Sequence, residues 1–105
     1  MTMSPTLGSR IRVNDDVLFQ ELHGEAVLLN LKTGVYFGLD SVGTRAWQLL
    51  PEHPVLSQIL EVIVREYDVA EERCAEDLIR LIAEMREHEL VTLVDATPPG
   101  QPERL

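Results

Sequence analysis

The sequence predicts an α+β domain with a winged-helix-like layout, in which a three-stranded antiparallel meander is followed by three helices. Apolar residues alternate between residues 17 and 39, as they do along strands, and from residue 40 they recur at helical spacing. A chain of 105 residues, 45% of them hydrophobic, can form one modest core. We expect one domain over residues 11–95, between a flexible N-terminal tail (1–10) and a disordered C-terminal tail (96–105).

The first strand is predicted at Val17–Leu22, and a two-residue turn, His23-Gly24, leads into a second strand over residues 25–32. The third strand covers residues 35–39. Gly34 ends the turn before it and is placed to take the left-handed conformation that glycine tolerates best. Short strands joined by short turns form a meander, whose edges are its first and third strands.

The third strand contains no charged residue and no proline, whereas the first strand carries Gln20 and Glu21 near its end. Exposed edge strands usually carry charges or proline, which discourage pairing with other chains. Our hypothesis is therefore that the third strand is an open edge for a peptide partner to join.

Asp40 or Ser41 is predicted to cap the first helix, and Trp47 is a candidate core anchor beside its apolar stripe. Prolines end this helix. The second helix is predicted from about Pro54, in its first turn, to Tyr67, the last member of its buried stripe.

The spacing of Asp68 and Glu71 predicts a capping box at the start of the third helix, which runs to about residue 89. Ile79 lies on a sideways extension of this helix's apolar stripe, which can line a groove. Packing of Ile79 on a neighbouring helix is the alternative. A short strand over residues 90–94 is the last predicted element.

The charge balance argues against nucleic acid or an anionic membrane as the main partner, because the net charge is −9. In a DNA-binding winged helix the third helix would read the duplex. Here that helix carries seven acidic residues against three arginines, so DNA binding is the weakest alternative. The single cysteine, Cys74, excludes an internal disulfide and fits a reducing compartment, so we expect a cytoplasmic protein.

No constellation in the sequence predicts catalysis, a metal or a cofactor. His23, His53 and His88 are far apart, and no pair has metal-ligand spacing. Cys74 lacks the basic partner that a nucleophilic thiol needs. We therefore expect a binding protein and not an enzyme.

Three segments together resemble the PqqD-like family. They are VLLNLKTGVYFGLD at residues 27–40, GTRAWQLL at 43–50, and EYDV at 66–69, which an acidic amphipathic helix follows. The resemblance covers roughly residues 17–94. It implies a recognition element for ribosomally made, post-translationally modified peptides: an adaptor that binds a precursor's leader and presents it to a client peptidase or other modifying enzyme. The Tyr36-Phe37 pair and the Gly-Thr-Arg-Ala-Trp run are more similar to the lasso-peptide type. The alternative is the type that serves a radical enzyme in pyrroloquinoline quinone synthesis.

The resemblance also implies where the leader binds: as a strand added to the third strand, in the groove against the third helix. The site residues we predict are, on the strand, Val35, Tyr36, Phe37 and Gly38, and, on the helix, Cys74, Ala75, Leu78, Ile79 and Ile82. Core packing is the alternative for each helix residue. Family members often have glycine where Glu89 stands, so the turn after the third helix is an open question. A monomer, or a dimer paired through the third strand, is expected.

Overall fold

The computed structural model describes residues 5–94. In chain order its elements are β1 (Arg10–Val13), β2 (Val17–Leu22), β3 (Glu25–Asn30), β4 (Tyr36–Leu39), α1 (Ser41–Leu49), α2 (Leu56–Tyr67), α3 (Glu71–Glu87) and β5 (Val91–Val94). The predicted α+β layout, a three-stranded meander followed by three helices, is confirmed. Within these residues no helix has both the length and the apolar character that a membrane span requires.

The strands form two antiparallel sheets. The larger has the order β2-β3-β4, and the smaller pairs β1 with β5. In the smaller sheet Arg10 lies opposite Val94, so the first residue of β1 pairs with the last described residue. The predicted terminal strand therefore pairs with the segment that precedes the meander, and the larger sheet keeps both of its edges.

Turn residues act as their chemistry predicts. His23 and Gly24 have φ angles of 58° and 83°, which suit the tight turn between β2 and β3. Gly34 has a φ angle of 79° in the turn before β4, which confirms its predicted left-handed conformation.

The hydrophobic core lies between the helices and the inner face of the larger sheet. Along β3, Ala26 and Leu28 are buried while Val27 between them is exposed, as expected of a strand with one covered face. Both sheets and all three helices contribute buried apolar residues: Ile11, Ala26, Leu28, Leu39, Ala46, Trp47, Leu49, Leu50, Leu56, Ile59, Leu60, Ile63, Cys74, Leu78, Ile82, Met85, Leu90 and Val91.

The helix starts confirm one capping prediction and correct another. Asp40 caps α1, because its Oδ1 accepts the Gly43 N–H at 2.8 Å. The predicted capping box of Asp68 and Glu71 is wrong, since α3 begins after Ala70. Asp68 instead ends α2 in a left-handed conformation, which aspartate tolerates better than most residues. Tyr67, predicted as buried, is 36% exposed at that helix end.

A left-handed glutamate closes α3. Glu89 has a φ angle of 59° and its N–H donates to the Arg86 carbonyl at 3.0 Å. The next N–H, from Leu90, donates to the Met85 carbonyl at 2.8 Å. These two bonds form the Schellman motif that usually uses glycine, so the turn into β5 is made without one.

Two asparagine side chains donate hydrogen bonds to the carbonyl of Glu89 in this turn. Asn30, only 2% exposed, donates from Nδ2 to the carbonyls of His88 (2.9 Å) and Glu89 (3.2 Å). Its Oδ1 accepts the N–H groups of Lys32 and Thr33 in the β3–β4 turn. Asn14 adds a 2.7 Å bond from Nδ2 to the Glu89 carbonyl. The hairpin turn and the end of α3 are therefore tied together.

Part of the predicted N-terminal tail packs on the domain. Pro5 is buried. The carbonyls of Leu7 and Ser9 accept the N–H groups of Ser57 (2.8 Å) and Leu56 (3.0 Å), so they cap donors that the first turn of α2 cannot satisfy itself. The domain boundary near residue 10 stays a prediction, and the predicted C-terminal tail (96–105) lies outside the described residues.

Candidate functional site

β4 is an edge strand. It pairs with β3 on one side, with Leu28 opposite Phe37 and Leu29 opposite Tyr36, and no strand within residues 5–94 pairs with its other side. The edge position predicted for this strand is confirmed. Its unpaired side presents main-chain donors and acceptors with which another extended chain could pair.

The inner face of this edge meets the end of α3. Phe37 is half-buried, and its ring centroid lies 5.5 Å from that of His88, which follows the last residue of α3. The sequence predicts neither a metal-binding nor a peptide-binding role for His88. Its contact with Phe37 makes it part of the wall beside the open edge.

A cavity of about 450 Å³ is lined in part by Asp40, the residue that follows β4. It lies between the first turn of α1 and one side of α3. Its apolar lining combines residues of α1, of α3 and of the loop before α3: Val42, Val69, Cys74, Leu78 and Leu81. Its charged lining residues are all exposed and form a rim: Asp40, Arg73, Asp77, Arg80 and Glu84. Such a space suits an apolar side chain whose neighbours stay near water.

Gly43 sets how closely α1 approaches this cavity. A Cβ at Gly43 would lie 3.2 Å from a methyl carbon of Leu39 and 3.4 Å from a methyl carbon of Leu81. Both distances are tight for carbon atoms, so a larger residue would push α1 away from β4 and α3. Glycine is therefore needed here for close packing and not for an unusual backbone angle.

Cys74 contributes a neutral thiol to the lining. Burial raises the pKa of this thiol, and the nearby Asp77 carboxylate adds to the effect. A neutral, buried thiol behaves as a small apolar side chain and not as a nucleophile. Asp77 also forms an exposed ion pair with Arg80, at 3.1 Å. Across residues 5–94, no three His, Cys, Asp or Glu side chains are placed to hold a metal ion.

The structure brings together some of the predicted site residues. On the strand side, Val35 to Gly38 lie at the open edge. On the helix side, Cys74 and Leu78 line the cavity. The other three predicted helix residues pack in or against the hydrophobic core and do not line the cavity: Ala75, Ile79 and Ile82. Their contact with a peptide stays a prediction.

Sequence reasoning missed Leu81 and the rim residues. The apolar stripe on α3 is widened toward Ile79, so the groove was predicted on that flank of the helix. The cavity lies on the other flank, where Asp77, Leu81 and Glu84 recur at helical spacing. This spacing is the sequence feature that could have predicted the cavity. It continues to His88, whose ring contacts Phe37 of β4.

An open sheet edge with an apolar cavity near its end, beside a helix, is typical of the class of module that binds extended peptides by adding a strand. The sequence matches the family model for Coenzyme PQQ synthesis protein D (PqqD) over residues 25–91. This match spans more than half of the chain, and the protein belongs to the PqqD family.

Two solved structures are similar to this chain. One, TbiB1 in complex with the TbiA(beta) leader peptide, is 36% identical, with a TM-score of 0.71 over 81% of this chain and 96% of that one. The other, lasso peptide synthetase B1 complexed with the leader peptide, has a TM-score of 0.70 over 79% and 98% of the two chains. Its identity is 18%, so it supports the fold alone. A search of curated protein sequences finds no significant match.

Proposed function

We propose that this protein is a leader-peptide-binding adaptor in the biosynthesis of a ribosomally synthesised, post-translationally modified peptide, of the lasso-peptide type. The observation that carries the proposal is the open edge of β4 together with the cavity beside α3, which Asp40 at the end of β4 helps to line. It is supported by 36% identity to TbiB1, whose structure contains a leader peptide.

The leader is expected to join the sheet as a strand beside β4. Each main-chain hydrogen bond contributes roughly 0.5–1.5 kcal/mol net, so pairing along a strand this short contributes a few kcal/mol. A micromolar complex requires about −8 kcal/mol. The remainder is expected from apolar leader side chains, since burying one of leucine or phenylalanine size contributes about 1.5–3 kcal/mol.

The cavity determines which leader side chains matter. In an added strand, alternate side chains would point the same way as Phe37 and Leu39, toward the side of the sheet where α1, α3 and the cavity lie. We therefore expect the leader to supply apolar residues at alternate positions, with polar residues where it passes the charged rim. The rim carries both positive and negative side chains. The shape and apolar character of the leader's side chains should therefore contribute more to selectivity than any single ion pair.

Catalysis would belong to a client enzyme. The adaptor holds the leader, and a leader peptidase or another modifying enzyme acts on the bound precursor. The alternative client is the radical enzyme of pyrroloquinoline quinone synthesis, which the match to the PqqD family model favours. Presentation of the leader by strand addition would be the same in both cases.

Titration of the purified protein with the leader peptides encoded beside its gene tests the proposal. Binding is expected at low micromolar concentration, and a scrambled peptide of the same composition is the control. Absence of binding to every such leader at tens of micromolar would contradict the proposal. A leader of the lasso type and one of the quinone type, compared directly, would separate the two pathways.

A further inference from the structure

The outer face of the larger sheet, which points away from the helices, carries a continuous apolar patch. The register places Leu18 opposite Leu29, and Leu29 opposite Tyr36, so one residue from each strand forms a row on this face. Val27 and Leu22 extend the row along β3 and β2, and the polar Gln20 lies opposite Val27, between Leu18 and Leu22. We call the five apolar residues the outer patch. Tyr36 is 70% exposed, Leu22 69%, Leu18 53% and Val27 41%.

This composition differs from that of a solvated sheet face. The outer face of an antiparallel sheet with one covered side is normally polar. Here, of the strand residues that point outward, Glu25 is the one with a charge, although the whole chain carries a net charge of −9. The acidic residues are concentrated on α3 instead. Contiguous exposed apolar patches of this kind mark interaction surfaces.

A hollow of about 570 Å³ opens beside the patch. Leu22, Val27 and Gly38 are among its lining residues, and a Cβ at Gly38 would meet no atom within 4 Å. The missing side chain of Gly38 therefore leaves space on the outer face, into which a partner's side chain could fit.

We propose that the outer patch is the docking surface for the enzyme that processes the bound precursor. The patch is continuous with the edge at which the leader is expected to bind, because Tyr36 and Gly38 belong both to β4 and to the outer face. Alternate side chains of a leader strand added there would lie beside them and enlarge the same surface. An enzyme seated on this face would touch adaptor and leader at once and so prefer the loaded adaptor. In this respect the inference rests on the proposed function.

The test uses Leu18→Glu and Leu22→Glu, two variants on β2, the strand farthest from the leader edge. Ser57→Glu, on the exposed face of α2, adds the same charge elsewhere. The probe is the purified leader peptidase encoded beside this chain, measured by biolayer interferometry against adaptor that has been loaded with leader. Each outer-patch variant is expected to bind leader within twofold of the native Kd and to lose at least tenfold in affinity for the peptidase. Ser57→Glu should change neither value.

Three results would overturn the inference. The first is unchanged peptidase affinity in both outer-patch variants. The second is loss of leader binding in variants that still melt like the native chain, because the patch would then belong to the leader site. The third is a native dimer, seen by light scattering, that Leu18→Glu converts to a monomer, since a second copy would then occupy the patch. If the native chain binds no leader, the proposed function fails, whereas peptidase binding that is lost only in the outer-patch variants would still support the surface.

Discussion

Replacing Asn30 with alanine should be among the most damaging single changes in this domain. The buried Asn30 side chain makes four hydrogen bonds, two from Nδ2 to the end of α3 and two to Oδ1 from the β3–β4 turn. Each such bond contributes roughly 0.5–1.5 kcal/mol net, and polar groups left buried without partners add to the loss. We expect the free energy of unfolding to fall by about 2–4 kcal/mol, a large share of the ~5–15 kcal/mol typical of a domain.

Urea denaturation followed by circular dichroism measures this loss. With a slope of about 1–3 kcal/mol per molar urea, the midpoint should fall by at least roughly 1 M. Asn14→Ala is the matched control, because the more exposed Asn14 makes two side-chain hydrogen bonds instead of four: its Nδ2 donates to the same Glu89 carbonyl and its Oδ1 accepts from the Thr92 hydroxyl. Its loss should be about half that of Asn30→Ala, roughly 1–2 kcal/mol. Asn30→Asp should not rescue stability, since it replaces the donor with a negative charge beside two carbonyls. A loss below about 0.5 kcal/mol for Asn30→Ala would refute the reasoning.

Three further predictions follow from the site and the helix end. Leu81→Asp should abolish leader binding while the chain stays folded, whereas Ala83→Asp, also half-buried on α3 but outside both the cavity and the predicted site, should keep it. Loss of binding in Ala83→Asp alone, measured by calorimetric titration, would place the leader on the opposite flank of α3. Glu89→Gly should raise the free energy of unfolding by about 1 kcal/mol, because glycine adopts the left-handed conformation without strain; a lower denaturation midpoint would contradict this. Cys74 should react slowly with iodoacetamide at pH 8, since burial raises the pKa of its thiol, and bound leader should slow it further; mass spectrometry showing equal labelling with and without leader would place the leader elsewhere.

The local parts of the fold could be predicted because their causes are local. Gly34 and the His23-Gly24 pair mark turns by their own backbone preferences, and Asp40 caps a helix through a bond to a residue three positions away. The edge position of the third strand was also predictable, since three strands joined by short turns form a meander whose first and third strands lie at its edges.

The rest depends on contacts between distant residues. Asn30 lies within the predicted second strand and nothing in the sequence sets it apart, yet its Nδ2 donates to carbonyls 58 and 59 positions away. Asp68 has the spacing of a capping box for α3, but it also follows the last residue of α2. In the structure it takes the left-handed conformation of a helix C-cap, so it ends α2 and does not cap α3. Which flank of α3 faces the cavity depends on how α3 packs against α1 and β4. An apolar stripe alone does not contain that information.

The two faces of β4 imply that alternate side chains of the leader have different roles. Side chains that point the same way as Phe37 lead toward the cavity, whereas those that point the same way as Tyr36 join the outer patch. Alanine substitutions along the paired leader segment should therefore alternate in effect. Those at inward positions should weaken binding to the adaptor by tenfold or more, since each removes a buried apolar side chain. Those at outward positions should leave the Kd for the adaptor unchanged and slow cleavage by the leader peptidase. Titration and cleavage assays on one alanine series measure both effects, and the same positions controlling both would show that the leader does not lie as a strand against β4.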